Sequence, residues 1–215
     1  MPGLYRHNIP AVSGDLPALN SLARVYGGPG RDARGLAVEL VLDWRIAHGT
    51  PATSPFAANE RLNVFLSRPF FRSQGGEFTV DQVGRMLSEG VREWWRRRSA
   101  NGFHPPAATE RYIHDGIRVS AATARRIRLK ALDAGDDPER EMGRLLRLAL
   151  PRIGSAPRLD TPEVAHALVD EATWAQYNAA WAEYHRVGID VDVLLALKID
   201  SLLTTAAAQA AEGKG

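Results

Sequence analysis

The sequence predicts an all-α or nearly all-α chain. Apolar residues recur at three- and four-residue spacing in seven or more segments. Caps and stop signals bracket those segments. No window carries a sustained period-two alternation, the mark of a half-buried strand. The architecture expected is a multi-helix domain with an extended Pro/Gly-containing N-terminal arm and a C-terminal helical hairpin.

Residues 1–30 read as the arm, punctuated by Pro2, Pro10, Pro17 and Pro29 and closed by Gly27, Gly28 and Gly30. One short helix, Asp15 to Tyr26, fits inside it with Leu16, Leu19 and Leu22 on one side. Arg31 to His48 is a helix with Leu36, Leu40 and Trp44 four apart, stopped by Gly49 and Pro51. Thr50 to Pro55 is a loop. Phe56 to Leu66 reads as helical, with Leu62, Phe65 and Leu66 inward, and Phe70 and Phe71 beyond it as core plugs or part of a short extended piece. Thr79 and Gln82 form a capping box for the helix from Val80 to Ser99. Val80, Val83, Leu87, Val91 and Trp94 make its stripe, so Leu87 and Trp94 should be buried and Arg85, Arg92 and Arg96 exposed.

Pro105-Pro106 opens a short helix to Asp115, ended by Gly116. Ser120 caps a helix to Ala134, with Gly135 at its C′ position. Asp137-Pro138-Glu139 starts a helix to Leu150, because a cap, a first-turn proline and an acid at the positive dipole end coincide. Pro151 to Asp160 is a linker where composition turns from basic to acidic. Thr161-Pro162-Glu163 starts a long helix to Arg186, and after the Gly188 break a Val- and Leu-rich helix runs from Asp190 to Ala208. The domain plan is therefore an arm at 1–30, a helical core at 31–150, a linker at 151–160, an acidic hairpin at 161–208 and a tail at 209–215.

Of the 215 residues, 45% are hydrophobic and 24% charged, which excludes wholesale disorder. No apolar run approaches the roughly 20 residues of a membrane helix. Met1 to Arg6 leads into no apolar signal region, so a cytoplasmic location, or one inside an assembled particle, is expected. The chain has no cysteine, which removes disulfides, thiolate metal sites and Cys nucleophiles together.

The net charge of +2 conceals a polarity. Arg85 to Lys130 holds 11 basic and 4 acidic residues, net +7; Asp160 to Leu203 holds 2 basic and 8 acidic, net −6. The two regions can face each other within one molecule or between copies, or the basic part can meet nucleic acid. The cations placed to do so are Arg96, Arg97 and Arg98 at one helix end and Arg125, Arg126, Arg128 and Lys130 along the next helix.

Catalytic and metal constellations are not evident. His7, His48, His104, His114, His166 and His185 are never three or four residues apart, so no helix presents two of them as metal ligands. There is no Gly-x-Ser-x-Gly elbow, and Ser13 and Ser155 sit in turn-forming loops. Glu39 and Asp43 share a helix face, the spacing of an acid–base pair but also of a solvated face beside Arg34 and Arg45. Gly28 to Ala33 nominally fits a Gly-x-Gly-x-x-Ala phosphate loop, but a helix precedes it where a strand is needed. No catalytic, cofactor or metal residue is assigned, and no small-molecule ligand is expected.

Phe78 to Leu87 resembles the first helix of an excisionase-type helix-turn-helix, with Ser88-Glu89-Gly90 as its turn and Val91 to Arg98 as the second helix. The apolar stripe stays in phase across Gly90, which favours one continuous helix. Pro106–Asp115 with Ser120–Ala134 is a second possible helix-turn-helix. Gly102-Phe103-His104-Pro105-Pro106-Ala107-Ala108-Thr109, after a long Arg-ended helix, resembles a segment of phage tail-completion and virion-morphogenesis proteins. That likeness implies a structural role and carries no catalytic residues.

The resulting expectation is a non-enzymatic structural or assembly protein, a subunit or adaptor of a larger complex, of phage or prophage origin. The alternative is a DNA-binding protein using its basic helices. An enzyme with a dispersed site is a third class. The assembly surface expected is the aromatic seam Trp174, Tyr177, Trp181 and Tyr184, with Leu194 and Leu202 of the last helix, although the same residues can equally fold back as a hairpin that closes the protein's own core. There the acids Asp170, Glu171 and Glu183 would meet the Arg-rich middle of another copy, or another subunit of the assembly.

Overall fold

Helices make up 66% of the described residues and strands 16%. The computed structural model describes residues 4–27, 33–49, 56–102, 109–113, 116–152 and 162–212. Mostly helical is therefore right, but small sheets take a larger share than the sequence suggested. The chain divides into two compact units, residues 1–102 with 132–135, and residues 103–131 with 136–215.

The first unit opens with β1 (Tyr5–Ala11), which pairs antiparallel with β2 (Glu60–Leu66) in the register His7↔Val64, Ile9↔Leu62. Two expectations are overturned here. The described part of the expected arm, residues 4–27, is packed and not merely extended: β1 is laddered, and α1 (Leu16–Tyr26) buries Leu19, Leu22 and Tyr26. Residues 60–66 are not helical either. Leu62, Val64 and Leu66 alternate inward while Arg61, Asn63 and Phe65 alternate outward. Seven residues with Leu62, Phe65 and Leu66 among them satisfy both periods, and only pairing with a segment 50 residues upstream selects the strand.

α2 (Ala33–Ala47) and α3 (Val80–Asn101) complete this unit. Thr79 and Gln82 form the expected capping box: Gln82 N–H donates to Thr79 Oγ1 at 3.2 Å and Thr79 N–H to Gln82 Oε1 at 2.8 Å. α3 is continuous through Gly90, so no turn interrupts it. Gly90 instead lets the helices approach, because a Cβ there would run into Val41 Cγ1 of α2. Leu87 and Trp94 are buried, and Trp94 Nε1–H donates to the Tyr26 hydroxyl at 3.2 Å. Arg92 and Arg96 are exposed, whereas Arg85 is half-buried with its guanidinium over Phe56. Phe70 and Phe71 are the core plugs expected.

The second unit contains β3 (Glu110–Tyr112), β4 (Ile117–Ser120), α4 (Ala121–Ala134, its last turn counted with the first unit), α5 (Pro138–Ala149), β5 (Pro162–Ala165), β6 (Leu168–Asp170), α6 (Glu171–Arg186) and α7 (Val191–Glu212). β3 pairs antiparallel with β6, and β4 with β5. Residues 110–112, expected in a helix, are strand. The long helix expected from Thr161 begins only at Glu171, where the Asp170 carboxylate accepts the Thr173 N–H at 2.8 Å. Thr161-Pro162-Glu163 imitates a helix start, yet Pro162 stands at the end of a strand, where its missing N–H costs nothing. α7 runs past Ala208 to Glu212, so 209–212 are not tail.

One core unites this unit. Ile117, Val119 and Ile127 pack with Met142, Leu145 and Leu146 of α5 and with Tyr177, Val191, Leu195 and Ile199. The acidic hairpin closes the core of residues 113–150, one of the two roles its sequence allows. Gly143 permits the closest approach, since a Cβ there would strike the Leu168 carbonyl. Most of the expected linker, 153–160, lies outside the described residues, as do 103–108, His114-Asp115, most of the Gly28–Ala33 loop and Ser155.

Candidate interaction surfaces

α2 and α3 enclose an open cleft of about 450 Å³ between Trp44, Arg45 and His48 on one side and Glu89, Glu93 and Arg96 on the other. Arg45 meets Glu89 at 2.9 Å, while Arg96 and Arg97 share Glu93 at 2.7 and 2.9 Å. Asp133 accepts from the Trp44 indole at 3.0 Å, meets Arg97 at 3.0 Å and faces His48 Nε2 at 3.3 Å. Hydrogen bonds from Arg96 and then Arg97 hold the Glu93 carboxyl down at about 2. Burial alone would raise Asp133, but the Trp44 and Arg97 hydrogen bonds outweigh it and keep the carboxyl below its ordinary range. Both acids stay ionised at neutral pH and have no proton to donate. The cleft is lined by a network of ion pairs in which Arg96 and Arg97 share one carboxylate.

The cations expected to meet nucleic acid behave differently from one another. Arg98 is buried, its guanidinium over the Trp94 ring. Arg97 is held between Glu93 and Asp133, and Arg96 by Glu93. The three do not form one exposed set. Along α4, Arg126 meets Asp200 at 3.0 Å and Lys130 meets Glu141 at 2.8 Å, while Arg125 and Arg128 are half-buried.

Of the acids expected to reach another copy, Asp170 and Glu171 are engaged within the second unit, while Glu183 is exposed. Arg147 meets Asp170 at 2.5 Å and Arg111 meets Glu171 at 2.7 Å. Hydrogen bonding from Thr173, reinforced by Arg147, lowers the Asp170 carboxyl. Here basic and acidic segments face each other inside one molecule, the first of the three arrangements the charge polarity allows.

The aromatic seam divides. Tyr177 lies in the core, its hydroxyl donating to Asp192 at 3.2 Å, and Trp174 stacks on it at 6.1 Å between centroids. Trp174, Tyr184 and Leu202 are partly buried against the same core, and Leu194 is buried. Trp181 alone of the set stands well out, 47% exposed, with its ring stacked on His185 at 4.4 Å and 10°.

Glu39 and Asp43 turn out to be fasteners. Glu39 is buried and accepts from the Ser67 amide at 3.0 Å and from the Ser67 hydroxyl, and Asp43 pairs with Arg68. His7 is fully buried, with Nε2 at 3.1 Å from the Arg68 carbonyl oxygen and its ring edge-on to Phe71; burial lowers its pKa from 6.5. Among the described residues no three His, Asp or Glu side chains converge as a metal site, and no helix is long and apolar enough to cross a membrane.

No protein-family model, curated protein or solved structure matches the chain. Sequence reasoning missed one surface, the outward face of the β1–β2 ribbon. The alternation of Glu60 to Leu66 was its only local signal.

Proposed function

We propose that the protein is a non-enzymatic subunit of a larger assembly, and that the C-terminal end of α6 is where it meets another copy of itself. The observation that carries this reading is a cluster of large apolar side chains at one helix end. Trp181 is 47% exposed, Val187 62% and Ile189 39%, all within nine residues of chain. Single exposed hydrophobic residues are ordinary on protein surfaces, but tryptophan flanked by branched aliphatics has the composition of an interface hot spot. Stacking on His185 holds the indole in one pose, so docking costs little further rotamer entropy.

This narrows the expected surface from the whole seam to its outer end, because Tyr177 and Leu194 serve the protein's own core. Phage or prophage origin rests on the likeness of residues 102–109 to virion-morphogenesis proteins.

Light scattering over a concentration series tests the reading. Self-association that strengthens with concentration is expected, and Trp181→Glu should abolish it while leaving the helical circular dichroism unchanged. A wild-type chain that stays monomeric at every concentration overturns the proposal. So does an oligomer indifferent to Trp181→Glu.

A further inference from the structure

The β1–β2 ribbon has two chemically different faces. His7, Ile9, Leu62, Val64 and Leu66 point into the first unit and are buried. Partners in an antiparallel ladder share a face, so the pairs Arg6↔Phe65, Asn8↔Asn63 and Pro10↔Arg61 lie together on the other. There Arg6, Asn8, Arg61, Asn63 and Phe65 are all exposed, Phe65 at 47%. No acid is on this face: Glu60 pairs with Ala11 and belongs to the opposite side.

Two features set these residues apart from a merely solvated surface. The first is charge. Elsewhere in this unit Arg45, Arg68, Arg92, Arg96 and Arg97 meet carboxylates, Arg34 donates to Asn20 and Arg72 to the Glu77 carbonyl, while Arg24 stands alone on its helix. Among the described residues Arg6 and Arg61 meet no carboxylate. The second is residue type. Asparagine is depleted in strands, yet two of them face each other in mid-ribbon. Neither amide has a side-chain hydrogen bond to another described residue.

We propose that this outward face binds duplex DNA, with the ribbon lying in the major groove. A two-stranded ribbon fits that groove, which is about 12 Å wide. Same-face side chains on a strand are about 6.7 Å apart, close to two base-pair steps of about 3.4 Å each. Arg6 and Asn8, or Arg61 and Asn63, can therefore address positions two base pairs apart. The side-chain types match the groove's chemistry: guanidinium forks suit guanine O6 and N7, carboxamides suit adenine N6 and N7, and an apolar ring suits the thymine methyl. Arg6 and Arg61, which meet no carboxylate among the described residues, are also available to phosphates at low desolvation cost. The proposal uses none of the α6 residues and does not depend on that reading.

Fluorescence anisotropy of the full chain with a labelled mixed-sequence duplex tests the proposal, alongside a single-stranded oligonucleotide of the same length. Duplex binding that weakens steeply with salt is expected. The double variant Arg6→Ala/Arg61→Ala should lose at least tenfold in affinity at low salt. If both cations contact phosphate, its log–log salt slope should fall by roughly 1.8. Asn8→Ala/Asn63→Ala should keep the salt slope but flatten any preference between A·T-rich and G·C-rich duplexes. All four side chains are exposed, so unchanged thermal unfolding confirms that the variants are folded. Arg96→Ala, on a cation already paired with Glu93, should bind like wild type. The proposal is overturned by absence of duplex binding at low salt, by preference for the single strand, or by Arg6→Ala/Arg61→Ala binding like wild type. Failure here leaves the light-scattering result untouched, so the two readings are separable.

Discussion

The two units use charge in different ways. In the second, basic and acidic segments far apart in sequence are joined: Arg111 to Glu171, Arg126 to Asp200, Arg140 to Glu110 and Arg147 to Asp170. In the first, α2 and α3 carry ion pairs, while among the described residues the ribbon's Arg6 and Arg61 meet no carboxylate. Net charge along a sequence therefore ranks the regions wrongly. The segment with an excess of +7 is largely neutralised where it folds, and a ribbon with two arginines is the more available cationic surface. Exposed ion pairs of this kind contribute about 0–1 kcal/mol each, so their main effect is on which cations stay free.

The largest test of the contrast is truncation. Deleting residues 161–215 removes β5, β6, α6 and α7, and with them Val169, Tyr177, Val191, Leu195 and Ile199 from the second core. Hydrogen exchange should then show amides of 116–150 unprotected while β1 and β2 stay protected. Protection surviving at Met142 to Leu146 would mean that α4 and α5 hold a core without the hairpin.

Two glycines sharpen the comparison at the level of packing. Gly143→Ala forces a methyl group onto the Leu168 carbonyl, and backbone cannot yield as a side chain can. A loss of about 1–3 kcal/mol or more in urea unfolding is expected. Gly90→Ala meets the Val41 side chain first, with Arg45 Cγ next at 3.0 Å, so rotamer adjustment relieves part of the strain and the loss should be smaller. Equal losses would erase this distinction between the α3 and α5 packing sites.

Just below neutral pH, above the range in which the lowered carboxyls of Glu93, Asp133 and Asp170 titrate, a stability effect should come from the first unit's buried histidine. His7 has its pKa lowered from 6.5, so the unfolded chain binds a proton more readily than the folded one. Stability contributed by neutral His7 is then fully present above pH 6.5 and lost as pH falls below it, by at most about 1.4 kcal/mol per pH unit. His7→Gln should flatten that slope while retaining a donor for the Arg68 carbonyl. An unchanged slope assigns the acid sensitivity to another group. Smallest of all, Arg96→Ala should leave the urea unfolding midpoint essentially unchanged, because the Arg96 end of its pair with Glu93 is solvent-exposed.

Local signals were legible in the sequence and pairing was not. The Thr79–Gln82 box, the Gly135 stop and the Asp137-Pro138 start each act within one turn and appear where the residues place them. β1 and β2 were misread because Pro10 suggested an arm and Leu62, Phe65 and Leu66 also fit a helix. Their ladder joins residues 5–11 to 60–66, a contact no local window contains. The same reason hid the candidate surfaces. Trp181 was legible as part of a seam, but that Tyr177 turns inward follows from α5 and α7. Asp133, bonded to Trp44 across 89 positions, had no local signal at all.

The β4–β5 ladder also has a consequence for time. Ile117 and Val119 are fully buried, yet the strand that pairs with them does not begin until Pro162. At about 5–20 residues per second, a ribosome needs roughly 2–10 s to make the intervening stretch. For that interval the nascent chain displays an apolar strand with an open edge. Synthesis speed through residues 120–165, and any chaperone that shields β4 meanwhile, should therefore govern the yield of the second unit, with no corresponding effect on its equilibrium stability.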